Sequence, residues 1–282
     1  GYILLILSKI KVGVGGYKDP RTFGASDIDR CIEYNSSVID RWLAYLEKHS
    51  GDSDISGKQI LELGPGSDLG IGIKLLALGA YKYNACDVNP LLRQTPIRFY
   101  ERLFKRLKED SYEVDEIENE LARFIEQKNS NLNYVVDPDF DLEKNFEEKS
   151  IDLVFSQAAF EHFDDVNNTI YGLSSVCKKG ATLVALVDLQ AHSRWVRDKD
   201  PNNIYRFPKW LYRLAWYKGI PNRIRPFEYK NILASNGWVN INISSLKSEE
   251  IGDIGYRGLN KDFQGKENEM TVLTIMITAS KI

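Results

Sequence analysis

The feature that most constrains the fold is a short apolar run that stops at a glycine turn, QILELGPGSD at residues 59–68. Apolar residues at helical spacing follow it directly: Leu69, Ile73 and Leu76. Strand, glycine loop and helix in this order open a nucleotide-binding βαβ unit. Gly64 lets the backbone reverse without a Cβ penalty, and Gly66 leaves room for a ligand against the main chain. The segment therefore predicts an α/β fold with a ligand at this loop.

The charges around the turn narrow the choice of ligand. Glu62 precedes the glycines and Asp68 lies where the helix begins, so a pyrophosphate would be repelled there. The next apolar run ends in Asp87, roughly 20 residues further on, where a carboxylate binds ribose hydroxyls. A nucleoside with a cationic or zwitterionic tail fits this pattern, and S-adenosylmethionine is such a ligand. The alternative is a glycine turn followed by a helix-capping aspartate, with no ligand.

Three segments of the sequence resemble the class I S-adenosylmethionine-dependent methyltransferases. They are LELGPG at 61–66, DVN at 87–89 and SIDLVFSQAAFEHF at 150–163. The resemblance covers about residues 59 to 190, and Ser67 or Asp68 stands where the family has its third loop glycine. It implies an α/β fold of three layers, Rossmann-like, around a seven-stranded sheet whose last strand is antiparallel.

The same resemblance predicts how the chain is divided. Residues 1–58 form an N-terminal segment with a cover helix at 26–50, over the sheet edge and part of the cofactor mouth. Residues 59–282 form the methyltransferase domain. Within it we expect a helical insertion at 91–132, built of two helices, and an aromatic and basic cap at 193–230 that serves as the substrate region.

The cofactor that the resemblance implies is S-adenosyl-L-methionine, with S-adenosyl-L-homocysteine as the product. The residues expected to bind it are Glu62, Gly64, Pro65, Gly66, Asp87, Val88, Asp139, Phe140, Ser156 and Gln157. An acid after the third strand often contacts the adenine amino group in the family. Asp139 is preferred for this role over Asp137, because Asp137 precedes a proline and can simply shape the turn.

Three histidines are candidates for acid–base work. His49 ends the cover helix, where a capping or solvated role is expected. His162 belongs to the Glu-His pair after the fourth strand, and both catalysis and support of the cofactor loop remain open for it. His192 follows Asp188 at the carboxyl end of the fifth strand, where open α/β sheets bind ligands. We therefore predict His192 as general base with Asp188 orienting its ring, and a purely structural histidine is the alternative.

The cap is expected to bind the methyl acceptor. Residues 193–230 hold ten Lys or Arg against three Asp or Glu, interleaved with aromatic side chains. Arg194, Arg223 and Arg225 could hold a carboxylate or phosphate, while Trp195 stacks on a sugar or base. An ordinary aromatic subdomain core with solvated cations is the alternative interpretation.

The sequence thus predicts methyl transfer to an oxygen atom of a small-molecule, glycan or secondary-metabolite acceptor, and the basic cap is compatible with an anionic one. Alternatives are a nucleic-acid methyltransferase, an NAD-linked oxidoreductase or epimerase, and a catalytically silent binding module. The net charge of −3 argues against nucleic acid as the partner. The acids around the glycine turn argue against NAD.

The sequence says less about the cellular location of the protein and about its partners. The three cysteines, Cys31, Cys86 and Cys177, are unclustered, which predicts reduced thiols in the cytoplasm and no metal site. No apolar run is long enough to span a membrane. Residues 2–7 are apolar and precede Lys9 and Lys11, which predicts either an element packed on the core or a peripheral membrane contact. The oligomeric state is not predicted.

Overall fold

The computed structural model describes residues 1–15 and 27–282, and its centre is one mixed β-sheet. The sheet has seven strands in the order β3-β2-β1-β4-β5-β7-β6. The strands are β1 (Gln59–Leu63), β2 (Lys82–Asp87), β3 (Leu132–Val136), β4 (Ile151–Gln157), β5 (Cys177–Asp188), β6 (Trp238–Ser248) and β7 (Val272–Lys281). Strands β1 to β5 run parallel, whereas β7 is antiparallel to both β5 and β6. The expected seven-stranded sheet with an antiparallel last strand is confirmed.

The order of the strands determines where a ligand can bind. β1 pairs with β2 on one side and with β4 on the other, so the chain changes direction across the sheet at β1. A crevice opens at the carboxyl ends of strands where such a switch occurs. The glycine loop that follows β1 lies at this point.

Helices cover both faces of the sheet. The longer ones are α1 (Tyr2–Gly15), α2 (Ile28–Ser50), α3 (Gly70–Ala77), α4 (Ile97–Glu109), α5 (Asp115–Ile125), α7 (Val166–Val176) and α10 (Pro226–Ser235). Short helices are α6 (Leu142–Asn145), α8 (Arg194–Arg197), α9 (Lys209–Leu214) and α11 (Asp253–Arg257). Residues of α2 to α5 pack against one face of the sheet, and residues of α6, α7 and α10 pack against the other. The predicted pair of helices in the 91–132 insertion corresponds to α4 and α5.

Helix α2 lies over the face of the sheet and not over its edge. Trp42 is fully buried and stacks on Phe155 of β4, with ring centroids 4.8 Å apart. The helix also contacts β5 and β7, which are inner strands. Its predicted cap Ser26 falls outside the described residues, and the helix begins at Ile28 with no side-chain capping bond from Asp27. Because the apolar stripe of α2 is long, it reaches across several strands.

Glycines do not mark the ends of helices at two places in this fold. Gly13 and Gly15 would favour a loop, yet residues 13–15 continue helix α1. Helix α7 ends at Val176, and Cys177 already begins β5, where it pairs with Ile151. Gly180 has a φ of +84° inside that strand and does not terminate the helix. Cys177 fits the period of the helix as well as that of the strand, so apolar spacing alone could not place the boundary.

The cap has a small apolar core of its own, formed by residues after β5 and residues before β7. Its buried members are Ala191, Ile204, Tyr205, Tyr212, Ile220, Leu259, Phe263 and Met270. Leu5 of α1 packs against the same cluster. The aromatic residues of the cap are therefore in part a hydrophobic core, which was the alternative interpretation of this stretch.

Candidate active site

The glycine loop has the backbone that its sequence requires. Gly64 has a φ of +73° and Gly66 a φ of +78°, a region that side chains disfavour. A Cβ at Gly64 would lie 2.6 Å from the Cβ of Ala159, in the loop after β4. The two loops therefore approach each other too closely for any residue but glycine at position 64.

The acids beside the loop are held by specific donors. The hydroxyl of Tyr83 donates to Glu62 at 2.5 Å, and the carboxylate of Asp68 accepts from Asn35 at 2.7 Å and from the Gly70 amide at 2.8 Å. Burial and the neighbouring charge of Glu62 raise the pKa of Tyr83 far above its ordinary value, so the phenol stays a donor. Both acids are buried. The binding role of Glu62 remains a proposal.

Asp87 lies beside the glycine loop, as predicted. It ends β2, next to β1, and the amide of Gly64 donates to the carbonyl of Cys86 at 2.9 Å. The Asp87 carboxylate is buried and accepts the amide of Asn89 at 2.8 Å. Val88 is partly buried against the core below. This arrangement orients a carboxylate at the ribose end of the predicted cofactor site.

The loop after β3 separates two aspartates with different roles. Asp137 is buried and accepts the amides of Asp139 at 2.9 Å and Asp141 at 3.3 Å, so it shapes the turn. Asp139 is exposed and keeps its proposed role at the adenine amino group. Phe140 packs against Phe163, with ring centroids 4.7 Å apart, and much of its ring is therefore committed to the core.

Ser156 was predicted to bind the cofactor, but its hydroxyl is used within the sheet instead. It is fully buried in β4, and its hydroxyl donates to the carbonyl of Leu63 at 3.0 Å. It therefore holds β4 to the end of β1, just before the glycine loop. Gln157 follows it, with its side-chain oxygen buried and without a hydrogen-bond partner.

The residues present suit a polar ligand at this edge of the sheet. Besides Gln157, the hydroxyl of Ser67 and the side-chain oxygen of Asn35 are buried without a hydrogen-bond partner. Buried polar atoms normally have a hydrogen-bond partner, so three unpaired ones around one loop indicate that a ligand binds there. The ammonium and carboxylate groups of S-adenosylmethionine are of the kind that would satisfy them, and glycines at 64 and 66 leave the backbone accessible.

A second group of polar side chains lies at the ends of β4 and β5. Glu161, His162 and His192 each offer a donor atom, and these atoms lie within 4.8 Å of one another. His162 lies in a short 3₁₀ turn, Phe160–His162, in the loop after β4. The rings of His162 and His192 meet edge to face, with centroids 4.7 Å apart. Sequence positions 30 residues apart are thus joined at the carboxyl edge of the sheet.

Backbone carbonyls determine the orientation of both rings. Nδ1 of His162 lies 2.6 Å from the carbonyl of Gly219, and Nδ1 of His192 lies 3.0 Å from the carbonyl of Gln190. A carbonyl only accepts, so each Nδ1 carries the proton and each Nε2 offers a lone pair. Nε2 of His192 lies 3.9 Å from Glu161, and its side chain is one-third exposed. His192 therefore keeps an unprotonated ring nitrogen on a partly exposed side chain.

Burial sets the protonation of the cluster. It lowers the pKa of His162 to about 4, with the charge of His192 adding to the effect. It also lowers the pKa of His192, while the charge of Asp188 opposes this shift. Glu161 is 2% exposed, neither of its oxygens has a hydrogen-bond partner, and burial raises its pKa well above the ordinary value. Both imidazoles are consequently neutral at pH 7.

Asp188 does not hold the ring of His192, which corrects the prediction. One of its oxygens accepts from the amide and side chain of Gln190, at 3.1 and 2.8 Å. The other pairs with Arg197 at 2.8 Å. Asp188 thus anchors the loop after β5 and helix α8, and the carbonyl of Gln190 orients the imidazole instead. Asp188 acts on His192 only through its charge.

The cluster contains the side-chain types that bind metal ions, although no metal site was expected. Ligands on one Zn²⁺ at about 2.1 Å are separated by roughly 3.4 Å in tetrahedral geometry. The donor atoms here are up to 4.8 Å apart, so the cluster would have to contract around an ion. In the described geometry it is better suited to handling a proton.

Arg225 was predicted to bind the acceptor, but its side chain is buried and not accessible to one. Its side chain is 0% exposed and donates to the carbonyls of Asn268, Glu269 and Val272 at 2.8, 2.8 and 2.9 Å. A fourth bond reaches the hydroxyl of Tyr205 at 3.3 Å. The guanidinium therefore fastens α10 to the segment before β7.

Arg223 is also engaged within the cap. It donates to the carbonyls of Phe207 at 2.7 Å and Ile204 at 3.3 Å, and it stacks over the ring of Tyr212 at 4.1 Å. These contacts contradict a primary role in substrate binding. Trp195 is exposed on α8, next to Arg194, whose side chain lies outside the described part of the structure.

Several residues of the site had no signal in the sequence. Asn35 and Tyr83 hold the loop acids from a helix and a neighbouring strand, and Arg197 pairs with Asp188. No local spacing pattern marks such partners, since their proximity depends on tertiary packing. Glu161 could have been found, because it is the acid of the Glu-His pair in the segment at 150–163.

Sheet order and loop contents together define the class of protein. A glycine loop after β1, an acid after β2 and an antiparallel β7 inserted between β5 and β6 are the architecture of class I S-adenosylmethionine-dependent methyltransferases. In comparison with protein families, residues 97–185 match the family described as a methyltransferase domain. The chain thus contains a methyltransferase domain with the Rossmann-like fold of class I S-adenosylmethionine-dependent methyltransferases. No curated protein matches the sequence significantly.

Solved structures with a similar fold share little sequence with this chain. Geranyl diphosphate C-methyltransferase from Streptomyces coelicolor A3(2), solved with Mg²⁺, geranyl diphosphate and S-adenosyl-L-homocysteine, has a TM-score of 0.50 and 14% identity, and the match covers 94% of this chain and 86% of that chain. A methyltransferase structure from Haloferax volcanii, solved in complex with the Trm112 activator, gives 0.47 and 17%, covering 90% and 96%. An S-adenosylmethionine-dependent methyltransferase from Mesorhizobium loti gives 0.48 and 14%, covering 86% and 100%. At these identities the likeness concerns the fold alone.

Proposed function

We propose that this methyltransferase methylates a hydroxyl group of a small-molecule or glycan acceptor, with Nε2 of His192 as the general base. When bound, S-adenosylmethionine supplies an electrophilic methyl group on its sulfonium. The observation that carries the proposal is the orientation of His192: its Nδ1 is tied to the carbonyl of Gln190, and its Nε2 is left as a proton acceptor at the carboxyl end of β5.

Methylation at oxygen requires a base such as His192. A hydroxyl is a weak nucleophile until its proton is removed, and a positioned base contributes about 10²–10⁴-fold to such a step. His192 lies one residue from the first residues of the cap and is partly accessible, whereas Glu161 behind it is buried. The proton taken from the acceptor would rest on Nε2, while the other ring proton stays on Nδ1, hydrogen-bonded to the carbonyl of Gln190.

The charge of the acceptor is less constrained than the sequence indicated. Arg223 and Arg225 use their donors on the protein's own carbonyls, so they provide no reason to expect a carboxylate or phosphate. The exposed ring of Trp195 on α8 remains available for stacking on a sugar or an aromatic acceptor. Neutral polyols, glycans and phenols therefore form the first screening set.

The test combines an acceptor screen with one substitution. Production of S-adenosylhomocysteine would be measured with hydroxyl, amine and thiol acceptors, and His192→Ala would then be compared with the wild type on the best one. We expect kcat to fall by about 10²–10⁴-fold while S-adenosylhomocysteine affinity stays unchanged. His49→Ala is the matched control, because His49 contacts Ser280 near the opposite edge of the sheet.

The pH profile provides an independent check. Burial lowers the pKa of His192 below the ordinary histidine value, so the base is already deprotonated at neutral pH. The rate should fall only as pH drops through that lowered pKa, on the acid side of about 6.5, and should be flat above neutrality. His192→Ala should abolish this acid limb. Full turnover in His192→Ala, or preference for an amine or thiol, would refute the assignment of the base.

A further inference from the structure

Helix α1 is fixed on the cap by its inner side. The hydroxyl of Tyr2 donates to the carbonyl of Leu211 at 2.9 Å, and the ring of Tyr2 contacts Phe207 at 5.4 Å between centroids. Farther along the helix, the ammonium of Lys9 donates to the carbonyl of Leu214 at 2.9 Å. Contacts at both residue 2 and residue 9 hold α1 alongside α9, so the two helices present one continuous surface.

The outer side of α1 is an exposed apolar stripe. Ile3, Leu7, Ile10 and Val14 are 74%, 53%, 56% and 88% exposed. Their spacing of four, three and four residues places them on one helical face, away from Tyr2 and Lys9 and nearly opposite Leu5, which packs on the core of the cap. Single exposed apolar residues are normal on proteins, but a contiguous stripe marks an interaction surface.

Helix α9 and the residues after it extend this surface with aromatic side chains. Trp210, Leu214 and Trp216 are large, apolar and exposed. Tryptophan is enriched where a protein meets the headgroup region of a bilayer, because its ring is apolar and its N–H is polar. We call the outer side of α1 together with residues 209–218 the α1–α9 surface.

The charged residues of the α1–α9 surface are all basic, and the exposed Asp262 that lies beside Lys209 and Arg213 is accompanied by Lys261. Residues 2–15 and 209–218 contain no Asp or Glu, although the whole chain carries a net charge of −3. Their basic residues are Lys9, Lys11, Lys209, Arg213 and Lys218, all of them exposed. Cations beside apolar and aromatic side chains complement an anionic lipid surface.

We infer that the α1–α9 surface docks this methyltransferase on anionic membranes, with α1 lying in the plane of the headgroups. No described helix is long and apolar enough to cross a bilayer. A second copy of the chain is the less favoured occupant, because a symmetric contact would bring the cations of two such surfaces together.

The inference does not depend on the acceptor or on His192, and vesicle binding tests it. Wild-type protein would be sedimented with vesicles of phosphatidylglycerol and phosphatidylcholine, and with vesicles of phosphatidylcholine alone. We expect binding to the anionic vesicles, weaker binding at high salt, and a blue shift of tryptophan emission on binding. Ile10→Asp should weaken binding by about tenfold or more, since it removes one apolar anchor and adds an anion.

Controls separate a membrane surface from other causes. Ile125→Asp changes an isoleucine of matched exposure, 55%, at the end of α5 and should leave binding unchanged. If Ile10→Asp fails to fold by circular dichroism, the double variant Lys11→Glu with Lys209→Glu should weaken binding and reduce its salt dependence. Equal or absent binding to both vesicle types would overturn the inference. So would a wild-type dimer, measured by light scattering, that Ile10→Asp dissociates without any vesicle binding.

Discussion

Replacing Arg225 by methionine should destabilise the protein strongly and should not act through the acceptor. The guanidinium is fully buried and donates to three backbone carbonyls at distances of 2.8 to 2.9 Å. Methionine has similar length but no donor, so the carbonyls of Asn268 and Val272 would lose this bond, whereas the carbonyl of Glu269 would keep the amide of Val272 at 2.8 Å. Each unsatisfied buried group costs about 1–3 kcal/mol.

Summed over these two carbonyls, the expected loss is about 2–6 kcal/mol. Whole domains are stable by only about 5–15 kcal/mol, so this loss is easily measured and approaches the limit of folding. Arg225→Lys keeps the charge and up to three donors but loses the planar fork, and should lie between Arg225→Met and the wild type. Arg213→Met, at an exposed position of α9, should stay within about 0.5 kcal/mol of the wild type.

The assay is urea unfolding followed by circular dichroism, with S-adenosylhomocysteine affinity measured on the folded variants. If Arg225→Met were as stable as Arg213→Met and instead raised the KM for the acceptor, our structural assignment of Arg225 would be refuted. The substrate-binding role predicted from the sequence would then be correct.

Two further predictions concern the glycine loop and the proton-handling cluster. Gly64→Ala should weaken S-adenosylhomocysteine binding by more than tenfold, because the new Cβ would lie 2.6 Å from Ala159. Gly180→Ala is the control: it has a similar φ and open space around it, so it should lower stability only. Equal calorimetric affinities for the two variants would contradict this prediction. Burial raises the pKa of Glu161, so above pH 4.5 the unfolded chain releases a proton that the native state keeps, and stability falls with rising pH. Glu161→Gln removes this penalty. Its free energy of unfolding relative to the wild type, measured by urea titration, should therefore increase between pH 5 and pH 8 by up to about 1.4 kcal/mol per pH unit. A difference that stays constant with pH would show that the carboxyl is ionised in the native protein.

The parts of the fold that could be predicted are those with a strong local pattern. The strand before the glycines, the acid at position 87 and the fourth strand with its Glu-His pair each carry their own signal in a few adjacent residues. Such segments specify backbone and order, and the parallel sheet then follows from the alternation of strands and helices. The boundary between α7 and β5 could not be placed from the sequence, because Cys177 fits the apolar period of the helix as well as that of the strand.

The partners of the polar side chains could not be predicted in the same way. A run of arginines and aromatic residues looks alike whether it faces a ligand or the protein's own carbonyls, and the cap resolves this for Arg225 only through residues 43 to 47 positions away. Asp188 and His192 are close in sequence, yet the bond that orients the ring comes from the carbonyl of Gln190. Side-chain orientation at the end of a strand depends on loop geometry that composition does not encode.

The most direct test of the central claim is calorimetric titration of the wild type and Asp87→Ala with S-adenosylhomocysteine, and of the wild type with NAD. We expect S-adenosylhomocysteine to bind the wild type at one site and NAD not to bind. Asp87→Ala should bind S-adenosylhomocysteine about tenfold to a hundredfold more weakly, because the ribose hydroxyls lose their hydrogen bonds to the buried carboxylate. Binding of NAD in place of S-adenosylhomocysteine, or undiminished affinity in a well-folded Asp87→Ala, would contradict the site as assigned.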